Sequence, residues 1–438
     1  MSILFDATYV AALTVGSPYF LLKFAGSKRY RSGLTQRLGW IDKRKGEKSC
    51  IWIHCASVGE VLMVKTLVKA LEKEFNDLDI VVSTNTNTGL SVAKRCFDDR
   101  KVFYFPLDLS WVVNKALNAI QPCCVILVEL EIWPNFLISA AKRSIPVVLL
   151  NARISERSLK WYRVLRKISK EFFASLTKKE NFFCARTEAD ASRLMNLGIP
   201  EAQIGITGNM KFDNVVTDIP KDTRKSLSSL FEIDKEEKVI VCGSTHEGEE
   251  IVLLNVFQRL REKGKNVRLI VAPRHIERVN EIVKLIESFQ FRCIRKTSLD
   301  NGEKVDRPKG ETVILVDTVG DLQATYSIAD CVFVGKSLVP HGGQNMMEPA
   351  GLAKPVIVGP HTFNFCEEVQ LLKKANAIEV VRDESELLQK MMYFLEHPDV
   401  AHAIGERAQS VAMKQKGATD RNVQMLRKIL SKERTVSV

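Results

Sequence analysis

The chain has 438 residues, 45% of them apolar and 26% charged, a globular composition that excludes a disordered or fibrous protein. Its 64 Lys and Arg against 52 Asp and Glu leave a formal charge of +12, which admits nucleic acid, an anionic membrane or an acidic substrate as partner. The length points to two domains. Ten cysteines with no CxxC spacing exclude a disulfide framework or structural zinc site and indicate a reducing, cytosolic environment.

The first element is apolar. Residues 7–22 carry no charge, and with Ile3, Leu4 and Phe5 the stretch approaches the roughly 20 apolar residues that span a bilayer as a helix. Asp6, Gly16 and Pro18 weaken it. Lys23, Lys28, Arg29 and Arg31 follow the apolar stretch instead of preceding it. That order suits an uncleaved anchor with the bulk of the chain cytoplasmic, and not a signal peptide. A buried N-terminal helix is the alternative. Residues 23–48 hold a net +7 and residues 156–180 a net +5, so these two segments contain the whole charge excess. A nucleic-acid footprint draws basic residues from several elements, and this charge is too local for one.

Strand-like runs then alternate with helical patterns: CIWIHC, DIVVST, KVFYF, CVILVEL and PVVLLN, followed by KVIVCG, VRLIVA, TVILVD, CVFVG and PVIVG. Such continuous apolar runs imply parallel strands covered on both faces, hence two α/β doubly wound, Rossmann-like domains. Periodicity lapses around residues 210–225, which marks the break. Residues 156–176 predict one amphipathic helix with Leu159, Tyr162, Leu165, Ile168 or Ser169, Phe172 and Leu176 on its apolar face. Lys160, Arg163, Lys167 and Lys170 form a separate stripe, either a solvated face or a surface for anionic headgroups. Residues 297–310 predict a loop.

Both halves begin with a strand, a Ser-x-x-Glu tetrapeptide and a helix: Ser57 to Glu60, and Ser244 to Glu247. Each matches a capping box, and each lies at a strand's carboxyl end, where open α/β sheets bind ligands. Facing domains would bring both ends to one cleft. Glu60 is then either a cap or a proton acceptor for an attacking hydroxyl. Glu129 and Glu131 share that rim and suit sugar hydroxyls, with Trp133 as an apolar plate.

In the second half, His341, Gly342, Gly343, Gln344 and Asn345 precede Glu348 directly after a strand. Two glycines let a backbone approach an anion, and a helix beginning near Gln344 would turn its amides toward it. Glu348 and Asn345 suit a ribose diol. A plain Gly-Gly turn is the alternative. Arg274, Lys336 and Ser337 suit the same anion. Neither GxGxxG nor GxxxxGK[ST] occurs, which excludes the common dinucleotide and P-loop sites. The seven histidines lack metal-ligand spacing; His246 and His275 are polar cleft residues on this pattern.

The ordered motifs RSGLTQRLGW, ASVGE, ELEIWPN, NARISERS, GNMKFD, GSTHEGEE, APRH, GGQNMMEP and GPHTFNF closely resemble the 3-deoxy-D-manno-octulosonic acid (Kdo) transferases of lipopolysaccharide assembly, from about residue 25 to about residue 385. Gln344 stands where that family commonly has His, and Lys336 where Gly is common. The resemblance implies a GT-B glycosyltransferase with its two domains facing a cleft. It also implies inverting, metal-independent and cofactor-free transfer of Kdo from CMP-Kdo to a lipid A precursor (lipid IVA), with further transfer onto added Kdo left open. Glu60 would be the general base. Arg274, Ser337, Gly342, Gly343, Asn345 and Glu348 would bind CMP. Arg31, Arg37, Ser57, Gly59, Glu131 and Arg153 would touch acceptor or Kdo. The expected organisation is an anchor over 1–24, an acceptor-binding domain over 25–215 and a CMP-Kdo-binding domain over 216–438, the last helix being a candidate to pack back on the first domain. The expected place is the inner membrane, by a single N-terminal anchor, with the catalytic domains on the cytoplasmic face. A nucleotide-sugar epimerase of the same architecture and a non-enzymatic peripheral membrane protein are the rival readings.

Overall fold

The computed structural model describes residues 2–15, 33–46, 48–75, 77–97, 100–303 and 311–436. The chain divides into two units, Met1–Asn214 with Lys416–Val438, and Val215–Gln415. The break falls inside the interval where the sequence loses its periodicity.

The first unit runs α1 (Ser2–Val15), α2 (Leu34–Arg37), β1 (Ser49–Cys55), α3 (Val58–Glu74), β2 (Leu78–Thr84), α4 (Asn87–Cys96), β3 (Val102–Tyr104), α5 (Ser110–Ile120), β4 (Cys124–Val128), α6 (Pro134–Lys142), β5 (Val147–Ala152), α7 (Glu156–Ile168), α8 (Lys170–Leu176), β6 (Phe182–Ala185), α9 (Glu188–Leu197) and β7 (Ile204–Ile206). Its strands are all parallel, in the order β3-β2-β1-β4-β5-β6-β7. Strand side chains alternate between faces, so Cys50 and Trp52 of β1 enter one core layer while Ile51, Ile53 and Cys55 enter the other. The Trp52 indole meets Phe103, Phe105 and Phe136 at centroid distances of 5.3, 5.9 and 5.3 Å.

The second unit contains α10 (Lys221–Leu230), β8 (Lys238–Thr245), α11 (Glu249–Glu262), β9 (Val267–Pro273), α12 (Val279–Ser288), β10 (Arg292–Arg295), α13 (Lys296–Asp300), β11 (Thr312–Leu315), α14 (Leu322–Ser327), β12 (Cys331–Val334), α15 (Met347–Gly351), β13 (Val356–Val358), α16 (Cys366–Lys374), β14 (Glu379–Val380), α17 (Glu384–Glu396) and α18 (Pro398–Gln415). These strands too are parallel, in the order β10-β11-β9-β8-β12-β13-β14. The final helix, α19 (Ala418–Val436), belongs to the first unit. Asp213 accepts the amides of Gly417, Ala418 and Thr419 at 2.7, 3.2 and 2.5 Å, and so satisfies that helix's N-terminus.

In each sheet strand order reverses beside the first strand: between β1 and β4, and between β8 and β12. Ligands of open α/β sheets bind outside the carboxyl ends at such switch points. The fold therefore singles out the residues following β1 and β4 in one unit, and β8 and β12 in the other.

Within α1, Phe5 is buried and meets Phe172 edge-on at 6.2 Å, while Ala7, Thr8, Val10 and Ala11 are exposed. Three expectations change. Asp6, read as a flaw in a span, accepts the Ser110 amide at 2.8 Å and so caps α5, and it takes the Asn135 amide at 3.1 Å. Among the described residues no helix is long and apolar enough to cross a membrane, and residues 16–24 of the expected anchor lie outside them. The single helix expected over 156–176 is two, because Ser169 ends α7 and its hydroxyl caps α8 through the Phe172 amide. The resulting bend leaves Trp161, Val164 and Ile168 exposed while Leu159 stays buried. Lastly, the start of the expected loop at 297–310 is helical (α13).

Candidate functional site

In the first unit the chain leaves β1 at Ala56 and enters α3 with Ser57 as its first cap. Glu60 turns back on that cap. Its Oε2 accepts the Ala56 amide and its Oε1 the Ser57 hydroxyl, each at 2.8 Å. Glu60 thus bonds a backbone amide, but the reciprocal box is not formed, because Ser57 donates to Glu60 instead of accepting an amide of the first turn. Burial pushes the Glu60 carboxyl up to about 7, against the Ser57 and Ala56 donors, and the charges of Glu129 and Glu131 push the same way. A carboxylate near neutrality is matched to proton abstraction at working pH. Gly59 beside it is exposed, and a Cβ there would meet only Ser57 Oγ, at 4.0 Å. Open space thus lies over the first turn of α3.

Glu129 and Glu131 follow β4. Glu129 holds a left-handed backbone (φ 61°) and pairs with Lys211 at 3.1 Å. Glu131 Oε2 accepts the Trp133 indole N–H at 2.8 Å and lies 3.4 Å from His54 Nε2. Burial raises the Glu131 carboxyl, but the His54, Trp133 and Asn85 donors prevail and hold it below the usual range. Arg37 donates to the Asn85 carbonyl at 2.5 Å and lies 4.5 Å over the Tyr104 ring. Burial lowers its pKa. Arg153 is exposed just past β5, and Arg31 lies outside the described residues. The structure thus gathers Ser57, Gly59, Glu60, Glu131 and Arg37 at one switch point. It adds His54, Asn85 and Lys211, which the sequence reading did not assign: His54 is hidden inside an apolar strand, and Lys211 looks like any surface lysine.

The second unit assembles its switch point around a buried carboxylate. Glu249, the first residue of α11, is fully buried and accepts the amides of His246, Lys336, Ser337 and Leu338 at 2.9, 2.5, 2.8 and 2.9 Å. This corrects the second capping box. β8 continues through Ser244, which is left-handed (φ 55°), and its register shifts between Gly243 and Thr245. The helix therefore starts two residues beyond Glu247, with Gly248 as its cap. Ser337 is a second correction. It is fully buried, its hydroxyl donates to the Val334 carbonyl and accepts the Gly359 amide, and so it secures the loop instead of facing a ligand.

Gly342 and Gly343 are both left-handed (φ 93° and 80°), and a Cβ at Gly342 would collide with Asn364 Nδ2 at 2.2 Å. The helix expected near Gln344 begins at Met347 and has five residues, so it contributes little dipole. Asn345 caps it through the Met347 amide and donates to Glu348 at 3.1 Å. Burial raises the Glu348 carboxyl against the Asn345 amide and the Arg274 charge. Arg274 is exposed, and its amide donates to Thr245 at 3.0 Å. His246 has its ring 4.6 Å from His341 and 5.8 Å from His275. Burial and those two rings hold His246 below the usual imidazole range, against the opposite pull of Glu249. No group of three or more His, Cys, Asp or Glu among the described residues is disposed to hold a metal ion. Arg274 and Lys336 form a cationic rim, with the three histidine rings beside them as hydrogen-bonding groups and Glu348 as an acidic acceptor, the composition that a phosphate joined to a sugar requires.

Residues 32–214 match the family described as 3-Deoxy-D-manno-octulosonic-acid transferase (kdotransferase). The chain is 33% identical to the 3-deoxy-D-manno-octulosonic acid transferase of Haemophilus influenzae, over 97% of this chain and 98% of that one. Among solved structures, a glycosyltransferase from Rickettsia africae superposes with a TM-score of 0.57 at 14% identity, covering 88% of this chain and 99% of that one. UDP-GlcNAc 2-epimerase from Neisseria meningitidis does so with a TM-score of 0.56 at 14% identity, covering 88% and 100%. At such identities the likeness is one of fold, the two-unit parallel α/β architecture of GT-B glycosyltransferases. Carboxylates at one switch point, a cationic rim at the other and a full-length relative at this identity lead to one conclusion: the chain belongs to the Kdo transferase family of glycosyltransferases, which acts in lipopolysaccharide biosynthesis.

Proposed function

We propose that the chain transfers Kdo from CMP-Kdo to a hydroxyl of a lipid A precursor, lipid IVA, in one inverting displacement without a metal. The acceptor hydroxyl oxygen attacks the anomeric carbon of Kdo as the bond from that carbon to the phosphate oxygen breaks. The acceptor proton passes to Glu60, and CMP leaves with the bonding electrons on its phosphate. The observation that carries this reading is Glu60 itself, a carboxyl raised to about 7 beside the open space at Gly59. Arg274, Gly342, Gly343, Asn345 and Glu348 are assigned to the nucleotide, with Lys336 offsetting charge on the leaving phosphate and the three histidine rings assigned to it as hydrogen-bond donors. Ser57, Gly59, Glu131, Arg37 and Arg153 are assigned to acceptor or Kdo. The first unit then serves the acceptor and the second, Val215–Gln415, the donor.

The acceptor is a membrane lipid, and the chain is proposed to work at the cytoplasmic face of the inner membrane. Support comes from α7, where Trp161, Val164 and Ile168 are exposed in one stripe beside the exposed Lys160, Arg163 and Lys167. An apolar stripe with a basic flank fits an anionic membrane surface. The test of the reaction is incubation with CMP-Kdo and tetra-acylated lipid A precursor, followed by mass analysis. Growth of the acceptor in Kdo steps supports the proposal and counts the sugars. An acceptor of unchanged mass contradicts it.

A further inference from the structure

His54 is the one buried imidazole at the carboxylate cluster, and nothing so far gives it a task. It follows Trp52 by two residues on β1, so both side chains leave the strand on the same face. The ring is fully buried and stacks on Phe105 with centroids 3.8 Å apart. A ring so enclosed needs a partner at each nitrogen. Nδ1 lies 3.1 Å from the Ser83 hydroxyl and 3.2 Å from the Ser83 carbonyl oxygen. Nε2 lies 3.4 Å from Glu131 Oε2, within ion-pair reach but outside hydrogen-bond geometry, and has no other partner among the described residues.

Trp52 favours one tautomer. Its indole N–H occupies one lone pair of Ser83 Oγ at 2.7 Å, which leaves the Ser83 proton free to donate, and Nδ1 is in reach. A neutral ring that accepts at Nδ1 carries its proton on Nε2, where the Glu131 carboxylate needs a donor. The opposite tautomer would donate to the Ser83 carbonyl and set the Nε2 lone pair against a carboxylate oxygen.

We propose that Trp52, Ser83 and His54 form a buried relay that fixes the Nε2–H tautomer and thereby aims Glu131 at the substrate, making His54 a positioning residue; its catalytic meaning rests on the Kdo transfer reading above. Trp133, His54 and Asn85 all approach the same oxygen of Glu131, at 2.8, 3.4 and 3.5 Å. Oε1 is left for a ligand hydroxyl. The titratable and charged groups around Glu131 are Glu60 from α3, Glu129 after β4, Cys55 of β1, Tyr162 from α7, and Arg37 through Asn85. With Trp133 and Asn85 donating and the His54 ring beside it, Glu131 is held below the usual carboxylate range while Glu60 is raised, so one carboxylate, not two, changes charge as the base is protonated.

Selective nitrogen-15 labelling of histidine reads the tautomer, with His54→Asn identifying the signal. The wild type is expected to show Nε2–H at neutral pH, and Ser83→Ala to lose it in favour of Nδ1–H. Nδ1–H or an imidazolium in the wild type overturns the relay, whatever substrate the chain takes. In the transfer assay Ser83→Ala is expected to lower kcat by about 10- to 100-fold with little change in donor KM, and Ser83→Thr, which keeps the hydroxyl, to restore it. The acid limb of the pH–rate profile should steepen from one proton toward two in Ser83→Ala. An unaltered kcat and limb in a folded Ser83→Ala protein overturns the positioning role. A wild type with the expected tautomer but no Kdo transfer supports the relay and counts against the transfer reading alone.

Discussion

The carboxylate of Glu249 accepts the backbone N–H of Ser337 at 2.8 Å and thereby joins the start of α11 to the turn after β12. The same carboxylate takes the amides of His246, Lys336 and Leu338. One buried side chain thus shapes both strand ends of the donor switch point. Glu249→Ala leaves four amides without their acceptor, and unsatisfied buried groups cost about 1–3 kcal/mol each. The variant is expected to lose about 3 kcal/mol or more in urea unfolding and to lose CMP-dependent thermal protection. A variant of wild-type stability that still responds to CMP would show that the carboxylate does not organise the site.

Gly59 offers a separate test because the protein itself does not need its emptiness. A methyl there meets only Ser57 Oγ, at 4.0 Å, and replacing glycine in a helix by alanine gains roughly 0.5–1 kcal/mol. Gly59→Ala is therefore expected to fold at least as stably as the wild type. If the acceptor hydroxyl approaches Glu60 over this turn, the methyl displaces it, and transfer falls by about 100-fold. Full transfer by a stable Gly59→Ala protein would move the acceptor path elsewhere.

Glu60 links activity to a cost in stability. Its carboxyl is raised from 4.5 to about 7 in the folded protein, so the folded state holds this proton more tightly than the unfolded chain. Its contribution is fully favourable below about pH 4.5 and is lost as pH rises through 7, by about 3 kcal/mol. Glu60→Gln carries no such charge. At pH above about 8 it is expected to unfold at higher urea than the wild type, with the difference vanishing near pH 4. A wild type more stable than Glu60→Gln at high pH would contradict the raised carboxyl.

The basic flank of α7 is expected to hold the protein to anionic vesicles. Lys160, Arg163 and Lys167 contribute about 1 kcal/mol each at a charged surface. Their triple replacement by Gln should weaken binding by about 100-fold. Raising the salt should do much the same to the wild type. Unchanged vesicle binding in the triple variant would assign membrane contact to another part of the chain.

The sequence made the architecture readable because parallel strands covered on both faces are continuous apolar runs, as in IWIHC and KVIVCG. Glu60, Glu131 and Arg274 lie just past strand ends, where the sequence pattern places them. What escaped depended on backbone shape. Ser244 in a left-handed conformation shifts β8, and the capping pattern at Ser244 to Glu247 gave no sign that Glu249 would act in its place. Ser337 sits at the expected point, yet the turn rotates its hydroxyl inward to Val334 and Gly359. His54 escaped for the opposite reason: its strand position predicts burial, but its partner Ser83 comes from β2, 29 residues away.

The central claim is that Glu60 removes the acceptor proton, and the pH dependence of Kdo transfer tests it most directly. Single-turnover rates with CMP-Kdo and lipid A precursor should rise with a slope of one up to an inflection near 7, matching the raised carboxyl. Glu60→Gln should abolish transfer while CMP still raises its thermal midpoint. A Glu60→Gln protein that transfers Kdo at near wild-type rate, with the same inflection, would contradict the account.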